Sequence, residues 1–328
     1  EGAVNAGLAP VFADPASYGE GTDWQEEVFN NNAPMMNHQF AVSGGTQRVN
    51  YMLSLGYYTQ DGIVGGNFGR SNYERMTMRS NIGITLFDES AKRSWLNKAT
   101  INTNIAYTRI KSKDIEANST WGSPLGSALS MSPMLTPFLE KGSAEEASQL
   151  AYLSGQSNYV PMYGPDGRLV MVPTAFGNYQ EMNNPIANLM LPGQKNWSHK
   201  FVGNFIGELQ IWDNLRYRIS YGADLSFWGY DGYTPKYYLR DGQGQDFSAA
   251  FAGRSNSLVW QIENVLMYNK TIGEHSFDIV LGQSAKESSG SYLSGARNNI
   301  ISYDRPYIDA STGLAADGDQ SSSGAPFV

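Results

Sequence analysis

Long stretches of this chain alternate apolar and polar residues with a period of two, the spacing that puts successive side chains on opposite faces of a β-strand. Residues 215 to 229 are the clearest case. Leu215, Tyr217, Ile219, Tyr221, Ala223, Leu225 and Phe227 fall on one face, and Arg216, Arg218, Ser220, Gly222, Asp224 and Ser226 on the other. Val49 to Tyr57 sets Val49, Tyr51, Leu53, Leu55 and Tyr57 against Asn50, Ser54 and Gly56, with Met52 out of pattern. Residues 73 to 86 set Met76, Met78, Ile82, Ile84 and Leu86 against Arg75, Thr77, Arg79, Asn81 and Thr85. Residues 101 to 109 set Ile101, Ile105 and Tyr107 against Asn102, Asn104 and Thr108. His38 to Gly44, Phe201 to Trp212, Leu258 to Tyr268 and Phe277 to Gln283 follow the pattern less strictly. The spacing predicts eight strands, several of them as long as the roughly 9 to 11 residues with which a tilted strand crosses a bilayer.

The links between these strands alternate in length. Gly44 to Arg48, Asp213 to Asn214, Lys270 to His275 and, more loosely, Asp88 to Lys98 are short. Residues 59–72, 111–198, 230–256 and everything after about 288 are long. In an antiparallel sheet all the short links then lie at one end and all the long ones at the other, which is the asymmetry of outer-membrane barrels with short periplasmic turns and long extracellular loops. Trp212, Tyr217, Phe227, Trp228, Tyr230, Tyr57 and Tyr58 sit near strand ends, where an interfacial aromatic girdle would be. The expectation is an all-β antiparallel transmembrane β-barrel segment with long extracellular loops. Ala144 to Leu153, inside the longest loop, reads as a helix.

Composition agrees with this class. Among 328 residues there are 35 glycines, 12% aromatics and only 16% charged residues, a profile of strands, turns and close backbone approaches. No window holds the roughly 18 to 20 consecutive apolar residues of a transmembrane helix, but barrel strands escape that test because half their residues face the lumen. Cysteine is absent, which removes disulfides and thiolate metal sites. A net charge of −8 without clustered Lys and Arg argues against nucleic acid as a partner. The chain opens on Glu1-Gly2-Ala3, and it reads as an internal fragment or a processed product.

Candidate chemistry is sparse. His38, His199 and His275 lie far apart without ligand spacing, and no metalloprotease, nucleophile-elbow, phosphate-loop or dinucleotide motif is present, so an enzyme is not expected. Asp241-Gly-Gln-Gly-Gln-Asp and Asp317-Gly-Asp-Gln offer oxygen ligands that suit calcium in an extracellular loop, yet both fall short of an EF-hand loop and read more simply as polar turns. No other cofactor is expected. Arg75, Arg79, Arg216 and Arg218, with Glu208, Asp224 and Glu263, fall on the polar face and would line the lumen or contact a plug. Loop aromatics, chiefly Trp121, Tyr159, Tyr163, Tyr179 and Tyr233, would stack on sugar rings or peptide side chains, or pack the loops on one another.

Residues 22 to 87 carry a more specific pattern: Thr22-Asp23-Trp24-Gln25-Glu26-Glu27-Val28-Phe29, Ala33-Pro34-Met35, Val42-Ser43-Gly44-Gly45, Asn50-Tyr51, Ser54-Leu55-Gly56-Tyr57, Gln60-Asp61-Gly62-Ile63-Val64, and Tyr73-Glu74-Arg75-Met76-Thr77-Met78-Arg79-Ser80-Asn81. In order and spacing this resembles the beginning of the barrel in the SusC/RagA family of TonB-dependent importers. Fainter echoes follow at Asn184-Pro185 and from His275-Ser276-Phe277 to Gly282-Gln283. The resemblance implies a roughly 22-stranded plugged barrel in outer-membrane lipid, with a SusD-like surface lipoprotein as lid and TonB-ExbB-ExbD acting through an N-terminal region that these residues lack. It implies import of oligosaccharides, with peptides as the alternative ligand, and it transfers no residue-level site. Residues 1–21 are expected to be the plug-to-barrel linker and 22–328 the N-terminal part of the barrel. A TonB-dependent siderophore or vitamin receptor and a non-transport adhesin are the competing readings.

Overall fold

The computed structural model describes residues 14–65, 67–88, 95–115, 119, 122–156, 159–176 and 182–313, together with the backbone of 320–327. Thirteen strands are described: β1 Met35–Gly45, β2 Val49–Asp61, β3 Asn72–Phe87, β4 Lys98–Lys113, β5 Phe138–Leu139, β6 Leu169–Val170, β7 Lys195–Trp212, β8 Leu215–Thr234, β9 Tyr237–Arg240, β10 Gln243–Gln245, β11 Ala249–Ile272, β12 His275–Asn298 and β13 Gln320–Phe327. Nine of them form one sheet in the order β1-β2-β3-β4-β7-β8-β11-β12-β13, each antiparallel to its neighbours. The sheet does not close: β1 and β13 are its edges.

All eight expected strands are present and all are longer than their apolar runs. The stretch after 288, expected to be loop, instead continues β12 to Asn298 and later contributes β13. β11 and β12 are each 24 residues long, roughly 80 Å of extended chain. Their far halves are rich in Ser, Gly, Ala and Asn, with only scattered apolar residues such as Phe251 and Leu293, so period-two patterning could not announce them. The short links, residues 46–48, 88–97, 213–214 and 273–274, lie at one end. Residues 62–71, 114–194, 235–248 and 299–319 lie at the other.

Directly opposed residues share a face, so the registers define a continuous row Phe40–Leu55–Met78–Tyr107–Phe201–Leu225–Leu258 across seven strands. The parallel row Gly44–Tyr51–Ile82–Thr103–Phe205–Tyr221–Ile262–Ala285 lies on the same face. Here the apolar side chains stand exposed: Leu281 keeps 63% of its surface, where Leu153 in the long loop keeps 0%. A belt of this extent is favourable where an apolar environment such as lipid covers it.

The belt also slopes. The row through Phe40 reaches Ser289 in β12, yet the apolar run of β12 is Phe277, Ile279 and Leu281. That is a slide of about eight residues, roughly 27 Å, over seven strand steps spanning roughly 34 Å. The implied tilt is near 40°, inside the range of roughly 35–45° found in membrane barrels.

Of the aromatics expected in a girdle, Tyr57, Tyr217 and Phe227 lie on the apolar face, and an irregularity between Gln210 and Trp212 brings Trp212 there as well. Tyr58, Trp228 and Tyr230 face the other side. One residue of offset flips a strand side chain, and these three are the even-numbered neighbours of belt residues.

The main hydrophobic core lies in the loop between β4 and β7. Ala128, Met131, Leu139, Leu169, Met171, Ile186 and Leu189 pack with Trp24 and Val28, which precede β1. Its helices are short and capped: Ser123 caps Pro124–Ser130, Ser143 caps Ala144–Leu153 and Asn184 caps Pro185–Met190. The expected helix Ala144–Leu153 has the bounds that the sequence suggested. Residues 1–13 of the expected linker lie outside the described residues, and Pro15–Tyr18 forms one 3-10 turn.

Candidate functional site

The long connections converge on a cavity of about 580 Å³ at their end of the sheet. Its walls come from the β2–β3 loop at Phe68, Gly69 and Arg70, from the ends of β4 and β7 at Lys113 and Lys195, and from Leu189–Gly193 at the end of the last loop helix and just beyond it. Asp231–Tyr233 of β8, Phe251 and Ala252 of β11, and residues 304 and 306–308 complete it.

Local sequence explains how these parts are held. Gly65 and Gly69 take φ of +69° and +62°, a left-handed conformation that glycine adopts without strain. The Gly65 carbonyl accepts from the amides of Phe68 and Arg70 at 3.2 and 3.0 Å, closing a tight loop. The Gly65 amide donates to Val28 at 3.1 Å, and Lys113 Nζ donates to the Gly69 carbonyl at 2.8 Å. Arg70 is therefore fixed between the segment before β1 and the end of β4. Burial lowers its guanidinium below the usual arginine range.

The lining is aromatic and charged. Tyr233 stacks on Tyr303 with ring centroids 5.9 Å apart, and Phe68, Phe251 and Tyr307 add apolar faces. Asp231 is paired with Arg254 at 2.6 Å, while Arg254 also stands over the Trp197 ring at 5.3 Å. Pockets that combine flat apolar walls with a few fixed polar groups are the usual form of small-ligand sites.

The expected site residues divide. Tyr233 lines this cavity. Tyr163 is exposed on the loop surface, opposite Leu169. Tyr159 is partly buried and packs edge-to-face on Tyr238 at 5.6 Å, a packing role, and burial pushes its hydroxyl pKa up. Trp121 and Tyr179 lie outside the described residues.

On the polar face, Arg75 stands 5.5 Å from the Tyr58 ring, Arg79 faces Ser54, and Arg218 approaches Glu208 at 4.0 Å. Arg216 lies between Gln210 and Met267 in register. These four arginines share one face but form two groups, because β4 and β7 separate β3 from β8. Lys200 and Asp224 add an ion pair at 2.7 Å.

The acidic stretch Asp241 to Asp246 is spent on a hairpin between β9 and β10. Asp241 accepts from the Tyr238 hydroxyl, and Gln243 Oε1 accepts from Asn183 Nδ2 at 2.7 Å and Arg240 Nε at 3.2 Å. Burial, and then Asp241, push the Tyr238 pKa up. Among the described residues no three His, Cys, Asp or Glu side chains gather as a metal site. Asp317-Gly-Asp lies outside the described residues. Arg70 went unnoticed in the sequence, where its one signal was the glycine-rich run leading to it.

No protein-family model matches the chain. TonB-dependent receptor SusC of Bacteroides thetaiotaomicron is 24% identical over 279 residues, covering 82% of this chain and 24% of that protein. TonB-dependent receptor P3 of Formosa agariphila is 24% identical over 288 residues, covering 86% of the chain and 25% of the receptor. The chain thus spans about a quarter of the length of these curated relatives. Among solved structures, the RagAB peptide importer in its closed-closed state aligns with a TM-score of 0.65 at 16% identity, covering 94% of this chain and 30% of that one. Its open-open state gives 0.64 at 17% identity.

The resemblance read from residues 22–87 is therefore borne out, and with it the fold: a SusC/RagA-like stretch of outer-membrane barrel wall. These relatives are receptors rather than enzymes, in agreement with the missing catalytic motifs.

Proposed function

We propose, taking a SusC/RagA-like outer-membrane barrel wall as the premise, that this chain serves the TonB-dependent import of an oligomeric nutrient, an oligosaccharide or a short peptide. The observation that carries the reading is the division of the molecule. A lipid-facing belt fixes the sheet in the membrane, and a packed loop domain at one end holds a cavity with aromatic and charged walls. Such a site captures an amphipathic ligand above the bilayer and leaves the chemistry of passage to the lumen. In this proposal a SusD-like lipoprotein covers the loop end and excludes water, while the TonB-ExbB-ExbD assembly supplies force through the plug. Arg75, Arg79, Arg216 and Arg218 contact that plug or the lumen water.

Mass spectrometry of what co-purifies with the full-length protein from native outer membranes tests this. A SusD-like lipoprotein together with a hexose ladder or a set of short peptides is the expected result. A lone receptor, or one carrying a metal chelate, would overturn it in favour of siderophore or vitamin uptake.

A further inference from the structure

The guanidinium of Arg70 is the most anomalous group in the loop domain. Its Nε and Nη1 are shielded from solvent and have no hydrogen-bond partner. Arginine remains charged in proteins, and Arg70 as a whole is half-buried, so the shielded edge of its fork is held without a partner while the rest of the residue lines the cavity. A structure keeps such a group where something else completes it.

The surroundings say what kind of group is missing. Lys113 and Lys195 are directly opposed in the β4–β7 register and both line the same cavity as Arg70. Like charges placed directly opposite repel. Lys113 spends a proton on the Gly69 carbonyl at 2.8 Å, a neutral acceptor that leaves its charge uncompensated. Two acids also line the cavity, Asp231 and Asp304, and Asp231 is engaged by Arg254. With Asp231 answered by Arg254, the three cations face only Asp304, so the lining keeps a positive excess that an anionic occupant would balance. The planar fork of arginine fits a carboxylate, and the aromatic walls suit the ring or side chain that would carry it.

Gly193 completes the arrangement. A Cβ built there would lie 2.4 Å from Arg70 Nη1, so only glycine lets the guanidinium sit against the Pro192–Gly193 backbone.

We infer that this cavity is a carboxylate subsite in which Arg70 forms the primary ion pair, with Lys113 and Lys195 adding field. The inference rests on the importer reading and narrows it: the nutrient carries an acid, either the uronate of an acidic sugar or the C-terminus of a peptide.

Calorimetry on the purified full-length receptor tests it with two probe pairs: oligogalacturonate against its methyl ester, and a tetrapeptide acid against its C-terminal amide. At least one acid should bind tenfold or more tighter than its neutral partner, with affinity falling as salt rises. Arg70→Gln should abolish that preference, and Gly193→Ala should weaken the acid by displacing the guanidinium. The pair that responds identifies the source of the carboxylate. Equal binding of acid and neutral forms by the unmodified receptor, or failure of both acids to bind, would overturn the inference, and neither comparison depends on a variant folding. Carboxylate binding without import in cells would strike the importer reading and leave this subsite standing.

Discussion

The indole N–H of Trp24 donates to the carbonyl of Ser132 at 2.8 Å, joining the segment before β1 to the loop that follows β4 across 108 residues of chain. The Trp24 ring is also buried in the loop core with Val28, Met131 and Ile186. The connection makes the loop domain a composite of two distant segments. Trp24→Ala should remove about 3–5 kcal/mol from loop-domain stability. Trp24→Phe, which keeps most of the packing and loses the donor, should cost about 1–3 kcal/mol. Thermal unfolding of the full-length protein followed by hydrogen exchange at residues 122–139 would show both.

Gln149 is fully buried and spends both ends of its amide on one backbone stretch. Nε2 donates to the Val170 carbonyl at 2.9 Å and Oε1 accepts from the Val172 amide at 2.8 Å. Gln149→Leu is close to isosteric but orphans a donor and an acceptor together, so a loss of about 2–4 kcal/mol is expected. Gln149→Glu still accepts from the Val172 amide when ionised but regains a donor toward the Val170 carbonyl only when protonated, so its damage should be milder at acidic pH. A stability profile against pH that is flat for this variant would contradict the assignment.

Neighbouring positions of β11 separate the two faces of the sheet. Ile262 lies in the apolar row with Tyr221 and Ala285, and Gln261 lies on the polar face beside Glu263. Ile262→Lys should cost about 2–4 kcal/mol as a cation near the bilayer centre, and Gln261→Lys should cost almost nothing. Refolding into lipid vesicles with heat-modifiable gel mobility as readout would distinguish them.

At the loop surface Arg168 bridges Glu140 at 3.0 Å and Asp166 at 2.6 Å. Hydrogen bonds from the Arg168 backbone and side chain hold the Asp166 carboxyl below its usual range. A depressed carboxylate contributes its stabilisation above the unfolded pKa and loses it as pH falls through the folded value. Protection of the Gly164 amide, which donates to Arg168 at 2.8 Å, should fall at strongly acidic pH after correction for intrinsic exchange. Asp166→Asn should remove that dependence. Both groups are exposed, so the effect is confined to the turn.

The membrane half of the sheet was legible because lipid imposes a pattern: every strand that crosses it must show an apolar residue at alternate positions, and residues 215–229 do so without a break. Outside the lipid the constraint ends. Ala249–Ser257, the far half of β12 and Gln320–Phe327 are strands built largely from Ser, Gly, Ala and Asn, held by backbone pairing that leaves no trace in hydropathy. The loop helix at 144–153 was legible as a local feature, and in the structure Ser143 caps it. The cavity was not, because Arg70, Lys113, Lys195 and Tyr233 are scattered along the chain and only the register and the two loop glycines bring them together. Tyr159, one of the loop aromatics expected either to stack on a ligand or to pack the loops together, packs on Tyr238.

The edge at β12 has a consequence for assembly. Among the described residues β13 pairs with β12 over Gly290–Arg297, and from His275 to Ser289 no described strand meets the outer N–H and C=O groups of β12. This interval contains Phe277, Ile279 and Leu281, the exposed apolar run of β12. Unsatisfied peptide groups there cost several kcal/mol each, whereas the same groups in water would be solvated at little cost. The bilayer therefore turns this interval into a template with a defined register, on which an antiparallel segment in register with β13 is driven to zip from Ser289 toward the turn at His275, and insertion and pairing become a single cooperative event.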